Sequence, residues 1–326
     1  MSKPSAAMEG DAAAPFGAPL DITVLMGGPS TEREVSLMSG TAIAEALERC
    51  GHKVQRADIS PRDTSALDRA GLDVAFIALH GSFGESGDVQ QLCEARGLAY
   101  TGSGPEASRL ALDKAAAKQR FRRAGLTTPD WIIVEQYHAP AQVRGWLAEL
   151  PLPVVCKPVD GGSSVDITIA RSESERDTAL VLLLDGYGRA MIERYAAGRE
   201  LTVGILGEEP LPVLEVVPAG DFYDYRAKYA DDAGTRYEFD HGLDEPICER
   251  LREAAMAAHH ALGCRDMSRV DFILDEAGEA QVLEVNTIPG FTSHSLLPMA
   301  AGRVGISFES LAGRLVTLAH SRASSR

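Results

Sequence analysis

Short apolar runs alternate with amphipathic stretches along the first third of the chain. Residues 22–26 form an apolar, partly β-branched run. After Gly27-Gly28-Pro29 the apolar positions take a helical period over residues 32–50, with Leu37, Ile43, Ala44 and Leu47 facing inward. Ser30 and Thr31 stand where caps for that helix are expected. Residues 53–58 open a second cycle, and 73–79 form a third strand that ends at His80-Gly81. Strand, loop and helix in repetition predict parallel βαβ units. Ligands in such sheets gather at the C-terminal ends of strands, so the loops at 27–33 and 80–88 are expected to face one cleft. A helix expected over 105–124 carries Asp113-Lys114 and leads through Gly125 to Pro129 into a change of composition.

The next stretch reads as an α+β unit with a small antiparallel sheet. Strands at 153–157 and 165–169 flank the turn Gly161-Gly-Ser-Ser164, a helix follows over 173–184, and strands at 190–195 and 200–206 close the unit. Beyond it come a strand at 211–217, a polar aromatic loop at 221–239, a helix over 249–262, two strands at 267–274 and 281–286, and a closing helix over 308–320. The expected division is a disordered tail at 1–19, an α/β domain at 20–125, a central subdomain at 126–207 and a C-terminal subdomain at 208–326. The sequence shows no internal repeat.

Composition narrows the function classes. A formal charge of -15 over 326 residues argues against sequence-independent nucleic-acid binding, which needs clustered Lys and Arg. Five scattered cysteines without C-x-x-C spacing support neither a disulfide framework nor a zinc site. No apolar run reaches membrane-spanning length, and the first twenty residues lack the basic start and apolar core of a signal peptide. The expectation is a cytoplasmic protein with no membrane partner.

The strongest chemical signal lies in the two late strands. They carry Arg269, Asp271, Glu284 and Asn286, three oxygen donors and a cation, and the strand period of 2 puts Arg269 on the same face as Asp271. A single acid in such a run is more simply explained as pointing outward. Two acids sharing a cleft need a cation, and Mg²⁺ beside nucleotide phosphates suits this donor set. Arg269 would then stabilise negative charge on a phosphoryl or acyl oxygen. The turn at Gly161-Gly-Ser-Ser164 offers N–H groups and hydroxyls to phosphates, with Lys157 at the end of the preceding strand, although a plain exposed turn explains it as well. Neither a P-loop nor a dinucleotide fingerprint is present. Glu34, His80, Ser163 and Tyr229 are the remaining polar candidates, and nothing in periodicity brings them together. The segment from Tyr223 to Tyr229 is dense in hydrogen-bonding aromatics and cations, the composition of a closing loop.

Taken in order, these blocks resemble the D-alanine–D-alanine ligase family of ATP-grasp enzymes. The resemblance runs from about residue 22 to residue 318. It rests on Gly27-Gly-Pro-Ser-Thr-Glu-Arg-Glu-Val-Ser36, Ala78-Leu-His-Gly81 with Gly84-Glu85, Tyr100-Thr-Gly-Ser-Gly104, Asp113-Lys114, Lys157-Pro158 with Gly162-Ser-Ser-Val165, the segment 222–229, and Asn286 to Leu296. It implies an ATP-grasp architecture, α/β and α+β, in which an N-terminal parallel-sheet domain precedes two α+β subdomains that clasp ATP. It also implies adenine near Glu193 to Ala196, Tyr195 among them, with Glu200 a further nucleotide-binding residue, phosphates on Lys114, Lys157, Ser164 and Lys228, and two Mg²⁺ ions, or Mn²⁺, on Asp271, Glu284 and Asn286.

The reaction implied is ligation of two D-alanine molecules through an acylphosphate, for peptidoglycan precursor synthesis, by a homodimer. Glu34 would hold the first ammonium group near His80, Ser163 and Tyr229 would complete that hydrogen-bonded set, and Ser295 with the Leu296 backbone would take the second carboxylate. The chain departs from the family pattern at Ser86, Gly161, Asp166, residues 237–241 and Ile288. Another ATP-grasp amino-acid ligase of altered specificity therefore stays open, as does a nucleotide-binding protein without catalysis.

Overall fold

The computed structural model describes residues 18–162, 165–220 and 234–324. The chain enters through β1 (Asp21–Gly27), α1 (Arg33–Arg49), β2 (Lys53–Ile59), β3 (Val74–Ile77), α2 (Ser82–Glu85), α3 (Asp88–Ala95) and β4 (Ala99–Tyr100). The four strands are parallel in the order β2-β1-β3-β4, the βαβ arrangement expected from the alternating pattern. Both faces of the sheet are covered, so β1 and β3 read as nearly continuous apolar runs. Leu25, Ala75 and Ile77 pack with Phe83, Val89 and Cys93 on one face. Ile22, Val24, Val74 and Phe76 pack on the other with Ile43 and Leu47 of α1 and with residues from the far end of the chain.

One expected helix is two. α4 (Pro105–Leu112) stops at Asp113, whose backbone is extended (φ -76°, ψ 97°), and α5 (Lys114–Arg123) starts at the next residue. The Asp113 carboxylate accepts a hydrogen bond from the Ala116 amide at 2.8 Å and so caps α5. Apolar periodicity continues across this break, which is why the pattern alone reads as a single helix. The turn places Lys114 at the first position of α5, where its own amide donates to the Val159 carbonyl.

The central sheet has the order β5-β8-β6-β7, formed by β5 (Trp131–Glu135), β6 (Val154–Pro158), β7 (Thr168–Ala170) and β8 (Arg189–Arg194). Its pairs are antiparallel, and α6 (Pro140–Leu147) and α7 (Glu173–Tyr187) contribute Val143, Leu147, Leu180 and Leu183 to its core. The third sheet is built on β9 (Arg199–Leu206), with β10 (Glu209–Pro210), β11 (Leu214–Val217), β12 (Arg236–Glu238), β13 (Met267–Leu274) and β14 (Ala280–Asn286). Its order is β12-β11-β9-β13-β14, with β10 paired to β9. α8 (Glu245–Leu262) packs Leu251, Ala255 and Leu262 against Leu201, Val203, Val270 and Phe272.

Two assignments differ from the sequence reading. Residues 200–206 belong to the third sheet and not to the central unit, so the sheets divide between Arg194 and Arg199 instead of after residue 207. β9 is buried on both faces. Leu201, Val203 and Ile205 meet the α8 core, while a Cβ at Gly204 would lie 2.6 Å from Leu297. A strand buried on both sides carries no period that says which sheet it joins. The place it was expected to fill is taken by β5. The chain ends in α9 (Leu296–Arg303) and α10 (Phe308–Ser324), which return to the first domain and lay Leu297, Leu311, Leu315 and Val316 on its sheet. Among the described residues, no helix is long and apolar enough to cross a membrane.

Candidate active site

Antiparallel pairing sets Arg269 opposite Asn286 and Asp271 opposite Glu284, with the register shifting just after Asp271. The four side chains expected to converge therefore lie on one face of neighbouring strands. Arg269 donates to both Asp271 oxygens, at 2.8 Å from Nε and 2.6 Å from Nη2. Thr202 on β9, which the sequence did not single out, donates to Asp271 Oδ1 at 2.7 Å. Across the pair, Lys114 Nζ lies 3.4 Å from Glu284 Oε2 and also donates to the Gly161 carbonyl. Each carboxylate thus faces a cationic side chain. Two carboxylates and an amide oxygen on adjacent strands form a hard donor set of the kind a divalent ion takes.

The residues expected to hold nucleotide sit on the central sheet and α5. Lys157 at the end of β6 donates to Glu193 Oε1 at 2.9 Å, and Lys118 Nζ lies 2.7 Å from Oε2 of the same carboxylate. Glu193 is almost wholly buried. Burial pushes its carboxyl up, and the two lysines more than offset this, leaving it below the usual carboxylate range. Its carboxylate is thus committed to lysines. Tyr195 and Ala196 are half-buried in the link between β8 and β9, and Glu200 is half-buried on β9, so the segment implied for adenine runs between the two sheets. A small cavity between them is lined by Lys114, Lys157, Gly161, Gly162 and Glu284. Ser163, Ser164, Lys228 and Tyr229 lie outside the described residues.

The loops of the first domain close the site from the other side. Glu34, the carboxylate expected in the cleft, is exposed on α1, whereas Glu32 is buried. Residues two apart on a helix do not share a face. The buried face of α1 continues Ser36, Ser39 and Ile43 back to Glu32, and following that period from Ile43 would have found it. A Cβ at either Gly81 or Gly162 would stand 3.0 Å from Glu32 Oε2, so this carboxylate lies between the loop after β3 and the phosphate turn. His80 is buried, with Nε2 3.3 Å from Ser39 Oγ and Nδ1 3.8 Å from Glu85. Ser39 also accepts a long bond from the Phe291 amide, tying His80 to the loop after β14.

In that loop Ser295 Oγ accepts from the Thr292 amide at 3.0 Å, so Ser295 stands at the N-cap position of α9 without a side-chain cap bond, and the first residue of that helix is the buried Leu296. Ile288 is buried among Leu25, Ile59 and Leu79 of the first domain, so this departure from the family pattern is a packing contact between domains. A cleft of about 710 Å³ lies elsewhere, between α4, α5 and the end of α8. Its lining of solvated charges, Glu106, Arg109 and Arg120 among them, includes none of the residues gathered on β13 and β14.

A parallel-sheet domain followed by two antiparallel sheets, with lysines and paired carboxylates turned to the space between them, defines an ATP-grasp ligase fold. The family profile described as D-ala D-ala ligase C-terminus matches residues 121–317, and the chain belongs to the D-alanine–D-alanine ligase family. It is 43% identical to a D-alanine–D-alanine ligase of Syntrophotalea carbinolica over 90% of this chain and 94% of that protein. A Bacillus anthracis D-alanine–D-alanine ligase structure complexed with ATP superposes with a TM-score of 0.81 at 30% identity, covering 94% of this chain and 99% of the other. The VanG D-Ala:D-Ser ligase of Enterococcus faecalis superposes with a TM-score of 0.82 at 29% identity, covering 92% and 99%.

Proposed function

We propose that the protein joins two D-alanine molecules into D-alanyl-D-alanine and cleaves ATP to ADP and phosphate. The observation that carries this reading is the in-register facing of Arg269 and Asp271 with Asn286 and Glu284, beside Lys114 and within one chain of the buried loops at Glu32, His80 and Ser295. Glu32, in place of Glu34, holds the ammonium group of the first D-alanine, with His80 beside it. The carboxylate of that D-alanine attacks the γ-phosphorus, ADP leaves, and an acylphosphate forms. The amine of the second D-alanine, whose carboxylate is held by Ser295 and the N-terminus of α9, then attacks the acyl carbon. A tetrahedral oxyanion develops beside Arg269, and its collapse expels phosphate while the amine loses its proton.

Lys114 and Lys157 orient the triphosphate, with Ser164 and Lys228 as further phosphate contacts, and adenine lies against residues 193–196 with Glu200 as a further nucleotide contact. Ser163 and Tyr229 complete the hydrogen-bonded set around Glu32. Asp271, Glu284 and Asn286 would hold Mg²⁺, as one ion or two, which supplies positive charge to the phosphate oxygens. Arg269 and Lys114 face those carboxylates and would add positive charge beside the phosphoryl group. The setting is a cytoplasmic homodimer that supplies a cell-wall precursor.

The likeness to the D-Ala:D-Ser ligase favours one further reading, in which D-serine is the acceptor. Incubation with ATP, Mg²⁺ and D-alanine, alone and with D-serine, separates the two. Phosphate release with D-alanyl-D-alanine as product is expected, and EDTA should abolish it until Mg²⁺ is restored. Release only when D-serine is present selects the second reading, and none with either acceptor rejects both.

A further inference from the structure

Lys118 is fully buried on α5, and the reaction described above makes no use of it. Its ammonium is held on several sides: 2.5 Å from Thr128 Oγ1, 3.4 Å from the Pro129 carbonyl and 2.7 Å from Glu193 Oε2, with the Trp131 ring centroid at 5.6 Å. Thr128 in turn donates to the Val282 carbonyl on β14, so the anchor is fixed to the third sheet as well. Burying an ammonium group is costly, and here burial pulls its pKa down to about 8. A methionine of similar length would avoid that cost. Lys118 does not line the cavity beside Gly161 and Gly162, whereas Lys157 does. It therefore cannot act by touching a ligand there.

What Lys118 changes is the charge available at Lys157. Glu193 divides its two oxygens between the lysines, one to each. Two ammonium groups against one carboxylate leave one net positive charge, and the end of the triad that faces the cavity is Lys157. Without Lys118, Lys157 and Glu193 form a closed neutral pair. We propose that Lys118 is a positioning residue for nucleotide binding, a buried counter-charge that holds Glu193 and leaves Lys157 electropositive toward the phosphates. This rests on the ATP reading given above.

The test is calorimetric titration of full-length protein with ATP, ADP and adenosine, for the wild type, Lys118→Met and the double variant Lys118→Met/Glu193→Gln. Lys118→Met should weaken ATP about tenfold or more, ADP less, and adenosine within about twofold, because a lost unit charge acts on phosphate and not on the base. The double variant restores the net positive charge, so whatever Glu193→Gln does to the base, the ratio of ATP to adenosine affinity should return to within about threefold of the wild-type ratio. If Lys118→Met does not fold, the double variant carries the test, since the single charge it leaves is the Lys157 ammonium that faces the cavity. Equal weakening of adenosine and ATP, unchanged ATP affinity in the single variant, or a folded double variant whose ATP-to-adenosine ratio stays at the single variant's value overturns the proposal. A wild type that binds no nucleotide removes the ATP reading, and the proposal with it.

Discussion

Exchanging Glu32 for glutamine should damage D-alanine recognition, and the same exchange at Glu34 should not. The two side chains are equal in chemistry and two residues apart, yet Glu32 is 7% exposed and its Oε2 lies 3.0 Å from the Cβ positions of both Gly81 and Gly162, while Glu34 is exposed. A hydrogen bond between a carboxylate and an ammonium group in such a shielded place contributes about 1.5–3 kcal/mol. At 1.4 kcal/mol per factor of ten, Glu32→Gln should lower kcat/KM for D-alanine by roughly 10- to 150-fold. Glu34→Gln should stay within about twofold, as for a solvated acid that faces no ligand. The assay is initial phosphate release against D-alanine concentration at saturating ATP, with KM for ATP measured separately to show that the nucleotide site is intact. A larger loss from Glu34→Gln, or a Glu32→Gln defect that appears in KM for ATP and not for D-alanine, would refute the reasoning.

Ile288→Ala removes a side chain packed between the loop after β14 and the first domain, and should cost about 2–5 kcal/mol, read from the urea midpoint. A loss below about 1 kcal/mol would mean that the loop closes over the gap. His259 is fully buried against Ser268, and burial holds its pKa near 4, below the ordinary value of 6.5. Between these values the unfolded chain binds a proton that the folded chain does not, so stability present above pH 6.5 is lost as the pH falls toward 4. Urea unfolding at pH 5 should show about 2 kcal/mol less stability than at pH 7.5 from this group, and His259→Gln should flatten that difference. An unchanged pH dependence in His259→Gln would assign the loss to other groups.

The facing pairs on β13 and β14 were legible because their signal is local. Period 2 puts Arg269 with Asp271 and Glu284 with Asn286, and a short turn makes β13 and β14 neighbours, so the facing pairs follow from the sequence. The first sheet was legible for the same reason, since its strands and helices alternate in order. What escaped was non-local or hidden behind a continuing pattern. β9 could be placed only by knowing that β13 would arrive beside it some sixty residues later. The break at Asp113 interrupts no apolar period and shows itself only through a cap. Lys118 on a helix looks like a solvated lysine until Glu193, from another strand, is brought against it. Glu32 lies on the helical period that runs back from Ile43 through Ser39 and Ser36, and Glu34 does not.

The helices α9 and α10 have a consequence for how the molecule comes into being. The sheet made from residues near the start of the chain has one of its two faces completed by Leu297, Leu311, Leu315 and Val316. During synthesis that apolar face stays open until nearly the whole chain has left the ribosome, so the first domain to be made is among the last to be sealed. The closing segment also carries Ser295 at the head of α9. The stretch that seals the first domain is therefore continuous with the residue proposed to hold the second substrate, and a chain stopped short of it would lack both at once.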